Sequence, residues 1–345
     1  MKAAVVYAKS EIRIADVPRP RACEGEVVVK VRASGICATD VKILGGLGAP
    51  AELPAILGHE VAGTISELGA GAEAAGLHEG QRVAVYPIAA CGHCVYCREG
   101  RNSLCLNEHG LGHGDDGGFA EYVRVPAEIV RLGGVLDIAD MPFDLAAMIE
   151  PTSCCIAAAD QCRTGAGDTV VVIGVGPLGL LHTIVSKALG AQVICVDLND
   201  ERLAAARKLG ATAAIHPERE DAEAIVRERT GQGADVVIAA VGVPRVIERY
   251  LPLVRNGGIF NIFGGTPRGE MMAVDPRWIH YGEIVLTGTF ASSVEQFRRA
   301  HSFVRKHAKE IGAVISTRCG LEDILKAVGR VKSGVGTKSV LLFPD

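Results

Sequence analysis

The stretch TVVVIGVGPLGLLHTIVSKALG, residues 169–190, sets the architecture of its half of the chain. Its apolar, β-branched beginning predicts a buried strand over residues 169–175. The segment PLGLLHTIVSKALG, residues 177–190, predicts a helix that ends at Gly190. Between strand and helix stands the pattern Gly174-Val175-Gly176-Pro177-Leu178-Gly179. A glycine-rich turn in this context predicts backbone N–H groups that face the pyrophosphate of a dinucleotide at the helix N-terminus.

The next strand strengthens the dinucleotide interpretation. QVICVDL, residues 192–198, carries Asp197, twenty-one positions after Gly176. A carboxylate there can accept hydrogen bonds from the adenosine ribose and repels a 2′-phosphate, which predicts NAD rather than NADP. Two alternatives stay open at this stage. Asp197 could cap a helix, and Arg202 could either meet a phosphate or face solvent.

The rest of the second half of the chain alternates predicted strands with predicted helices. Helical patterns over 201–210 and 221–231 end at glycines, and strand patterns recur at DVVIAAVG, GIFNIFG and EIVLTGTF. This alternation predicts α/β architecture with a doubly wound parallel sheet.

The first 150 residues read differently. AAVVYA, EVVVKVRA, HEVAGTISEL and QRVAVYP are strand-like segments separated by turn residues, which predicts a β-barrel-type domain with long loops. The tail contributes a helix, VEQFRRAHSFVRKH, and a strand, SVLLF, that we expect to return to this first domain.

The composition is that of a folded protein with large cores. The chain has 345 residues, of which 48% are hydrophobic and 22% charged, and this length suits two domains. A net charge of -4 without a basic run argues against a nucleic-acid partner. The apolar runs are too short or too interrupted for a signal peptide or a membrane span. We therefore predict a cytoplasmic protein with no membrane partner, in a compartment where disulfides are rare.

Four of the eleven cysteines form one cluster, namely Cys91, Cys94, Cys97 and Cys105. Zinc takes a tetrahedral set of soft ligands, and cysteines spaced this closely in a loop can enclose one ion. Because all four positions are filled, the cluster predicts a structural zinc. A zinc-ribbon interaction module is an alternative that the acidic balance disfavours. The other cysteines considered are predicted to be buried thiols, and they are Cys23, Cys154, Cys155, Cys162, Cys195 and Cys319.

A second group of metal-binding residue types is dispersed: Cys37, His59, Glu60 and Glu150. One thiolate, one imidazole and one carboxylate leave a zinc position open for water or substrate, as catalytic zinc requires. Spacing alone does not define this site, because each of these residues could be a satisfied core group.

Seven segments follow one another along the chain in the order typical of one enzyme family: GICATD (35–40), GHEVAG (58–63), GQRV (80–83), the four-cysteine cluster, GGFAEY (117–122), IEPTS (149–153) and GVGPLG (174–179). Together they resemble the zinc-dependent medium-chain dehydrogenase/reductase family over essentially the whole chain. The resemblance is strongest to the sorbitol and threonine dehydrogenase branch, in which a glutamate begins the EP dipeptide, as Glu150 does here.

The resemblance implies a GroES-like catalytic domain of residues 1–151 and 291–345 and a Rossmann NAD-binding domain of residues 152–290. It makes Cys37, His59 and Glu60 ligands of a catalytic zinc, with Glu150 binding directly, through water, or alternately with Glu60. Thr39 would take the substrate proton. His109 and His113 border the pocket in the family, and we assign neither a catalytic role.

The predicted cofactors are NAD and two zinc ions for each chain, one catalytic and one structural. The predicted cofactor-binding residues are Gly174, Gly176, Pro177, Leu178, Gly179, Asp197, Arg202, Phe263, Gly264 and Thr289. The family also implies a homo-oligomer, a dimer or a tetramer.

Two departures from the family pattern bear on the substrate. Lys42 stands where most relatives have a proton-relaying histidine, so it could relay protons, contact the ribose or an anionic substrate, or simply be solvated. Ala291-Ser292 replaces the Arg-Tyr pair of sorbitol dehydrogenases. We predict oxidation of a secondary alcohol or polyol by NAD. The alternatives are a dehydrogenase of an amino alcohol such as threonine or of a sugar phosphate, and a catalytically silent protein that binds NAD and zinc.

Overall fold

The computed structural model describes residues 1–46 and 53–344, so residue 345, the predicted end of the catalytic domain, lies outside the described residues. The chain divides into two compact units. The larger unit comprises Met1–Ser153 and Ser292–Asp345, and the smaller comprises Cys154–Ala291.

The amino-terminal part of the larger unit is rich in short strands. Its strands are β1 (Lys2–Ala8), β2 (Glu11–Asp16), β3 (Val27–Ile36), β4 (Ala55–Ile56), β5 (Glu60–Leu68), β6 (Arg82–Val85), β7 (Ile88–Ala89), β8 (His109–Gly110), β9 (Tyr122–Val125) and β10 (Val135–Asp137). Its helices are α1 (Ala38–Leu44), α2 (Val95–Arg98), α3 (Ala127–Arg131), α4 (Phe143–Ala146) and α5 (Ile149–Gln161), the last of which runs on into the smaller unit.

The rest of the chain alternates strands and helices. The smaller unit contains β11 (Thr169–Ile173), α6 (Pro177–Ala188), β12 (Gln192–Val196), α7 (Asp200–Leu209), β13 (Ala213–Ile215), α8 (Ala222–Thr230), β14 (Ala234–Ala239), α9 (Pro244–Tyr250), β15 (Val254–Ile262), α10 (Pro276–Gly282) and β16 (Val285–Gly288). The tail contains α11 (Val294–Lys306), α12 (Ala308–Gly312), β17 (Ile315–Cys319), α13 (Ile324–Ser333) and β18 (Lys338–Leu342).

Strand β3 is central to the larger unit. The main sheet has the order β10-β6-β5-β3-β18-β17, and β9 also pairs with β3. Almost all of β3 is buried, as its apolar sequence requires. Because β18 joins this sheet from the far end of the chain, the larger unit is discontinuous. The carboxyl end of β3 therefore lies between β5 and β18, where Gly35 opposes Glu60 on one side and Val340 on the other.

The smaller unit is a doubly wound α/β domain. Its six strands are all parallel, in the order β13-β12-β11-β14-β15-β16. The helices predicted over 177–190, 201–210 and 221–231 are observed as α6, α7 and α8. Helices α7 and α8 end at Gly210 and Gly231, whose φ angles of 104° and 79° lie in the left-handed region that glycine adopts without strain. The predicted parallel sheet is confirmed.

The expectation that six further cysteines are buried is wrong for two of them. Cys23 is exposed because it lies in the connection between β2 and β3, and such connections run over the surface. Cys319 is half-buried because it ends β17, an edge strand of the main sheet. Among the described residues, no helix combines the length and the apolar character needed to cross a membrane.

Candidate functional site

The four-cysteine cluster closes on itself within one short segment. The ligand atoms of Cys91, Cys94, Cys97 and Cys105 lie within 4.8 Å of one another. Backbone N–H groups surround the sulfurs: that of Cys94 donates to Cys91 Sγ at 3.3 Å, and that of Cys91 donates to Cys105 Sγ at 3.3 Å. Hydrogen bonds from the N–H groups of Leu106 and Cys97 lower the pKa of Cys94 to about 6. Burial, in contrast, raises the pKa of Cys97 to about 12. Four converging sulfurs surrounded by N–H donors fit a closed zinc site.

Cys37, His59 and Glu60 converge although they are remote in sequence. Cys37 follows β3 and caps the start of α1, while His59 and Glu60 stand at the start of β5. Their ligand atoms lie within 4.8 Å of one another. Sulfur, nitrogen and carboxylate oxygen from three residues match the donor set of an open zinc site. The register of β3 with β5 thus brings together three of the four residues predicted to hold the catalytic metal.

Asp40 supports two of these residues. Its carboxylate is fully buried, and Oδ2 accepts a hydrogen bond of 2.8 Å from the backbone N–H of Cys37. Its Oδ1 lies 3.7 Å from His59 Nδ1. Burial alone would lower the pKa of His59, but Asp40, followed by Cys37 and Glu150, raises it well above its usual value. Asp40 therefore holds the loop that carries Cys37 by a hydrogen bond, and it acts on His59 through its charge at ion-pair distance.

Glu150 lies near Cys37, His59 and Glu60, but it is not one of the residues whose ligand atoms lie within 4.8 Å of one another. It is in the first turn of α5 and is buried, and its main-chain carbonyl accepts a hydrogen bond of 2.6 Å from Ser153 Oγ. Its charge contributes to the raised pKa of His59. The structure therefore places Glu60, rather than Glu150, in the close set with Cys37 and His59.

Lys338 is the residue of this site that sequence reasoning missed. The residue is 3% exposed, and its ammonium forms an ion pair with Glu60 Oε1 and donates to the carbonyl of Ile36 at 3.0 Å. Burial alone would lower the pKa of Lys338, but Glu60, followed by Cys37 and Glu150, raises it. The sequence carries no local signal for it, because a lysine beside an apolar strand is ordinary until the pairing of β18 with β3 buries it.

The other predicted side chains of the larger unit are also placed. Thr39 is exposed, and its hydroxyl lies 3.6 Å from Cys37 Sγ. Lys42 is half-buried and follows Thr39 by three positions on α1, which puts both on one face of that helix. His109 and His113 each face a carboxylate at 2.6 Å, Asp115 and Glu108 respectively, within their own loop.

The glycine-rich turn of the smaller unit has the shape that a pyrophosphate needs. Gly174 has a φ of 86°, and a side chain at Gly179 would lie 2.1 Å from the carbonyl of Gly174. A Cβ at Gly176, directly before α6, would meet nothing within 4 Å. The helix N-terminus therefore borders open space at Gly176, and its unpaired N–H groups fit an anionic ligand.

Asp197 has a second role in this turn. Its Oδ2 accepts a hydrogen bond of 2.6 Å from the N–H of Val175, and its Oδ1 accepts one of 2.8 Å from that of Asn199. Each carboxylate oxygen has a further lone pair, so binding of a ribose hydroxyl remains compatible with these bonds. Arg202 Nη1 lies 4.0 Å from Asp197.

The last three predicted cofactor residues follow β15 and β16. Phe263 packs edge-on against His182, with ring centroids 4.4 Å apart. A side chain at Gly264 would lie 2.3 Å from the backbone of Val241, and Thr289 Oγ1 accepts a hydrogen bond of 2.8 Å from Asn261. Phe263, Gly264 and Thr289 thus stand just beyond the carboxyl ends of their strands, the edge of a doubly wound sheet at which ligands bind.

Comparison with known proteins gives matches in both halves of the chain. Residues 23–133 match the alcohol dehydrogenase GroES-like domain, and residues 177–306 match the zinc-binding dehydrogenase family. The sorbitol dehydrogenase of Bacillus subtilis is 38% identical over 297 residues, 84% of this chain and 82% of that protein. The L-threonine 3-dehydrogenase of Shewanella frigidimarina is 31% identical over 336 residues, 96% of each chain.

A solved structure agrees with these relatives. A zinc-binding dehydrogenase of Sinorhizobium meliloti, bound to NADP, superposes with a TM-score of 0.90 at 31% identity over 99% of each chain. The matches confirm the predicted fold class, with a GroES-like and a Rossmann-type domain, and the predicted enzyme class, a zinc-dependent dehydrogenase of alcohols or polyols. The chain belongs to the zinc-dependent medium-chain dehydrogenase family.

Proposed function

We propose that this protein oxidises a secondary hydroxyl of a neutral polyol to a ketone with NAD, at a metal site formed by Cys37, His59 and Glu60. The observation that carries the assignment is the convergence of these three ligand atoms within 4.8 Å of one another. The exposed hydroxyl of Thr39 stands beside Cys37, where a substrate hydroxyl could reach it.

Each residue has a task that its chemistry supports. Zinc, when bound, supplies a Lewis acid that makes the substrate hydroxyl more acidic. Cys37, His59 and Glu60 hold it with three donors and leave a fourth position for substrate. Thr39 accepts the hydroxyl proton as it releases its own. A relay through Lys42, three residues further along α1, uses the neutral amine, which takes the proton released by Thr39 and passes it to solvent. Asp40 holds the backbone of Cys37 in place through this step.

The cofactor preference is carried by Asp197. Its carboxylate is held beside the glycine-rich turn by the N–H groups of Val175 and Asn199. A negative charge fixed there favours a ribose hydroxyl and repels a 2′-phosphate, so we propose NAD rather than NADP as the working cofactor.

The neutral polyol is favoured over an anionic substrate by the sorbitol dehydrogenase relative, which is the more identical of the two relatives described. A threonine-type amino alcohol or a sugar phosphate is the second candidate. Lys42 supports it, because a cation three residues from Thr39 could pair with a carboxylate or phosphate.

Turnover assays separate these candidates. NADH formation is measured with neutral polyols, threonine and sugar phosphates, with and without a zinc chelator. The proposal expects turnover of a neutral polyol that the chelator abolishes. Turnover confined to anionic substrates would support the second candidate. No turnover by protein that binds NAD and two zinc ions would instead indicate a silent binding protein.

We also propose a homo-oligomer. Within residues 1–46 and 53–344, strand β16 pairs with another strand on one side only, and Val285 on it is exposed, as is Tyr281 just before it. Such an edge favours association with another chain. Light scattering of the purified protein tests this, and a monomer at micromolar concentration would contradict it. The cytoplasmic location stays a prediction.

A further inference from the structure

A buried cation already occupies part of the proposed metal site. The ammonium of Lys338 pairs with Oε1 of Glu60, and the two side chains are 4% and 1% exposed. Lysine is rarely buried, because removing its charge from water is costly unless an anion compensates. The ligands of a metal site are themselves anionic. The ammonium of Lys338 and a bound metal ion would therefore both interact with the Glu60 carboxylate.

The sheet is built to permit this pair. Lys338 begins β18 and Glu60 begins β5, and β3 runs between them. The lysine side chain crosses β3 at its carboxyl end, where it also binds the carbonyl of Ile36. Gly35 makes the crossing possible, because a Cβ there would lie 1.8 Å from Glu60 Oε2 and 3.0 Å from Lys338 Cε. Any other residue at position 35 would displace the carboxylate.

The two oxygens of Glu60 are in different states. Oε1 is taken by Lys338, whereas Oε2 is buried and has no hydrogen-bond partner among the described residues. A buried carboxylate oxygen without a partner is costly. One oxygen of the Glu60 carboxylate lies in the close set with Cys37 and His59, so a metal ion bound there would give this carboxylate a further partner.

We propose that Lys338 and the catalytic metal share Glu60, so that Lys338 weakens zinc binding and restricts Glu60 to one ligand oxygen. This inference rests on the proposed metal site. Without metal, Lys338 neutralises Glu60 and keeps the site folded. With metal, it prevents Glu60 from supplying both oxygens and filling the position that substrate needs. Lys338 is thus a positioning residue that acts through Glu60.

The test is the zinc affinity of the full-length protein, measured by competition with a chelator. Three variants are compared with the wild type: Lys338→Met, Lys338→Arg and Cys37→Ser. The wild type should bind two zinc ions. The binding event that Cys37→Ser lacks is the one at the catalytic site. We expect Lys338→Met to bind zinc there at least about tenfold more tightly, because a nearby positive charge is gone. Lys338→Arg keeps the charge and should stay within about threefold of the wild type. Unchanged or weaker binding in folded Lys338→Met would overturn the inference.

Folding gives a second readout, because Lys338→Met leaves Glu60 charged and buried. Zinc should raise the thermal unfolding midpoint of this variant more than that of the wild type, since the metal replaces the missing ammonium. If the variant is unfolded without metal, zinc should restore its fold. Failure to fold at saturating zinc, or an equal stabilisation of both proteins, would refute the sharing of Glu60.

These measurements do not depend on turnover. Altered zinc affinity in a protein that oxidises nothing would leave the inference standing and remove the proposed function. Chelator-sensitive turnover by the wild type, together with an unaltered zinc affinity in Lys338→Met, would support the proposed function and overturn the inference about Lys338.

Discussion

The two predicted metal sites of this chain are built in opposite ways. The four cysteines of the cluster lie within fifteen residues, and one loop with two short helical segments, Val95–Arg98 and Asn102–Leu104, brings them together. The catalytic group joins the end of β3 with the start of β5, and Lys338 reaches Glu60 across 278 positions. The first site depends on local spacing and the second on the register of a whole sheet. Substitutions should therefore affect stability at the first site and chemistry at the second.

The largest effect is expected at Cys37. Cys37→Ser removes a thiolate from the open site, and we expect polyol turnover to fall at least about 10⁴-fold, because Lewis-acid assistance provides several kcal/mol. Bound zinc, counted by elemental analysis, should fall from two ions to one. The control is Cys23→Ser, an exposed cysteine outside both groups. Retention of turnover in Cys37→Ser would show that the catalytic metal lies elsewhere.

The next largest effect is a loss of stability at the cluster. Cys97→Ser opens the closed site, and we expect the free energy of unfolding to drop by about 4 kcal/mol, as for other losses of a structural metal. The remaining zinc should be the catalytic one, and the folded fraction should keep its turnover within about tenfold. Denaturant unfolding followed by zinc analysis tests this, and an unchanged unfolding midpoint would argue against a structural role.

A smaller effect is expected at Gly35, which lies on β3 between the strands that carry Glu60 and Lys338. Gly35→Ala places a methyl group 1.8 Å from the original position of Glu60 Oε2. We expect zinc affinity at the open site to fall about 10- to 100-fold, as when a supporting residue of a metal site is lost. The matched control is Gly329→Ala in α13, where a Cβ meets nothing within 4 Å. Equal zinc affinities in the two variants would contradict the close packing of Gly35 against Glu60.

The smallest effect is expected at Lys42. If it relays the proton from Thr39, Lys42→Ala should lower turnover by about tenfold and change the pH–rate profile. Lys309→Ala, an exposed lysine on the short helix α12, provides the comparison. An unchanged pH–rate profile and an unchanged Michaelis constant in Lys42→Ala would exclude a direct role of Lys42 in proton relay or substrate binding.

Features encoded in short segments could be predicted from the sequence. The glycine-rich turn, the alternating strands and helices of the smaller unit, and the four-cysteine cluster each depend on residues close in the chain. The strand SVLLF was predicted as well, but its place beside β3 depends on sheet pairing that no local pattern encodes. Without that pairing, Lys338 reads as an ordinary charged residue at a strand end, and the reason for a glycine at position 35 is invisible. Exposure of Cys23 was missed although its charged neighbours in RACEGE, residues 21–26, are typical of a surface connection between strands.

Anomalous diffraction at the zinc absorption edge, from crystals of the full chain, would locate both metal ions. We predict two zinc peaks for each chain. One should be bound by the four cysteines. The other should be bound by Cys37, His59 and one oxygen of Glu60, with Lys338 on the other oxygen. A second zinc that binds Glu150 while Glu60 stays away, or the absence of any zinc beside Cys37, would contradict this prediction.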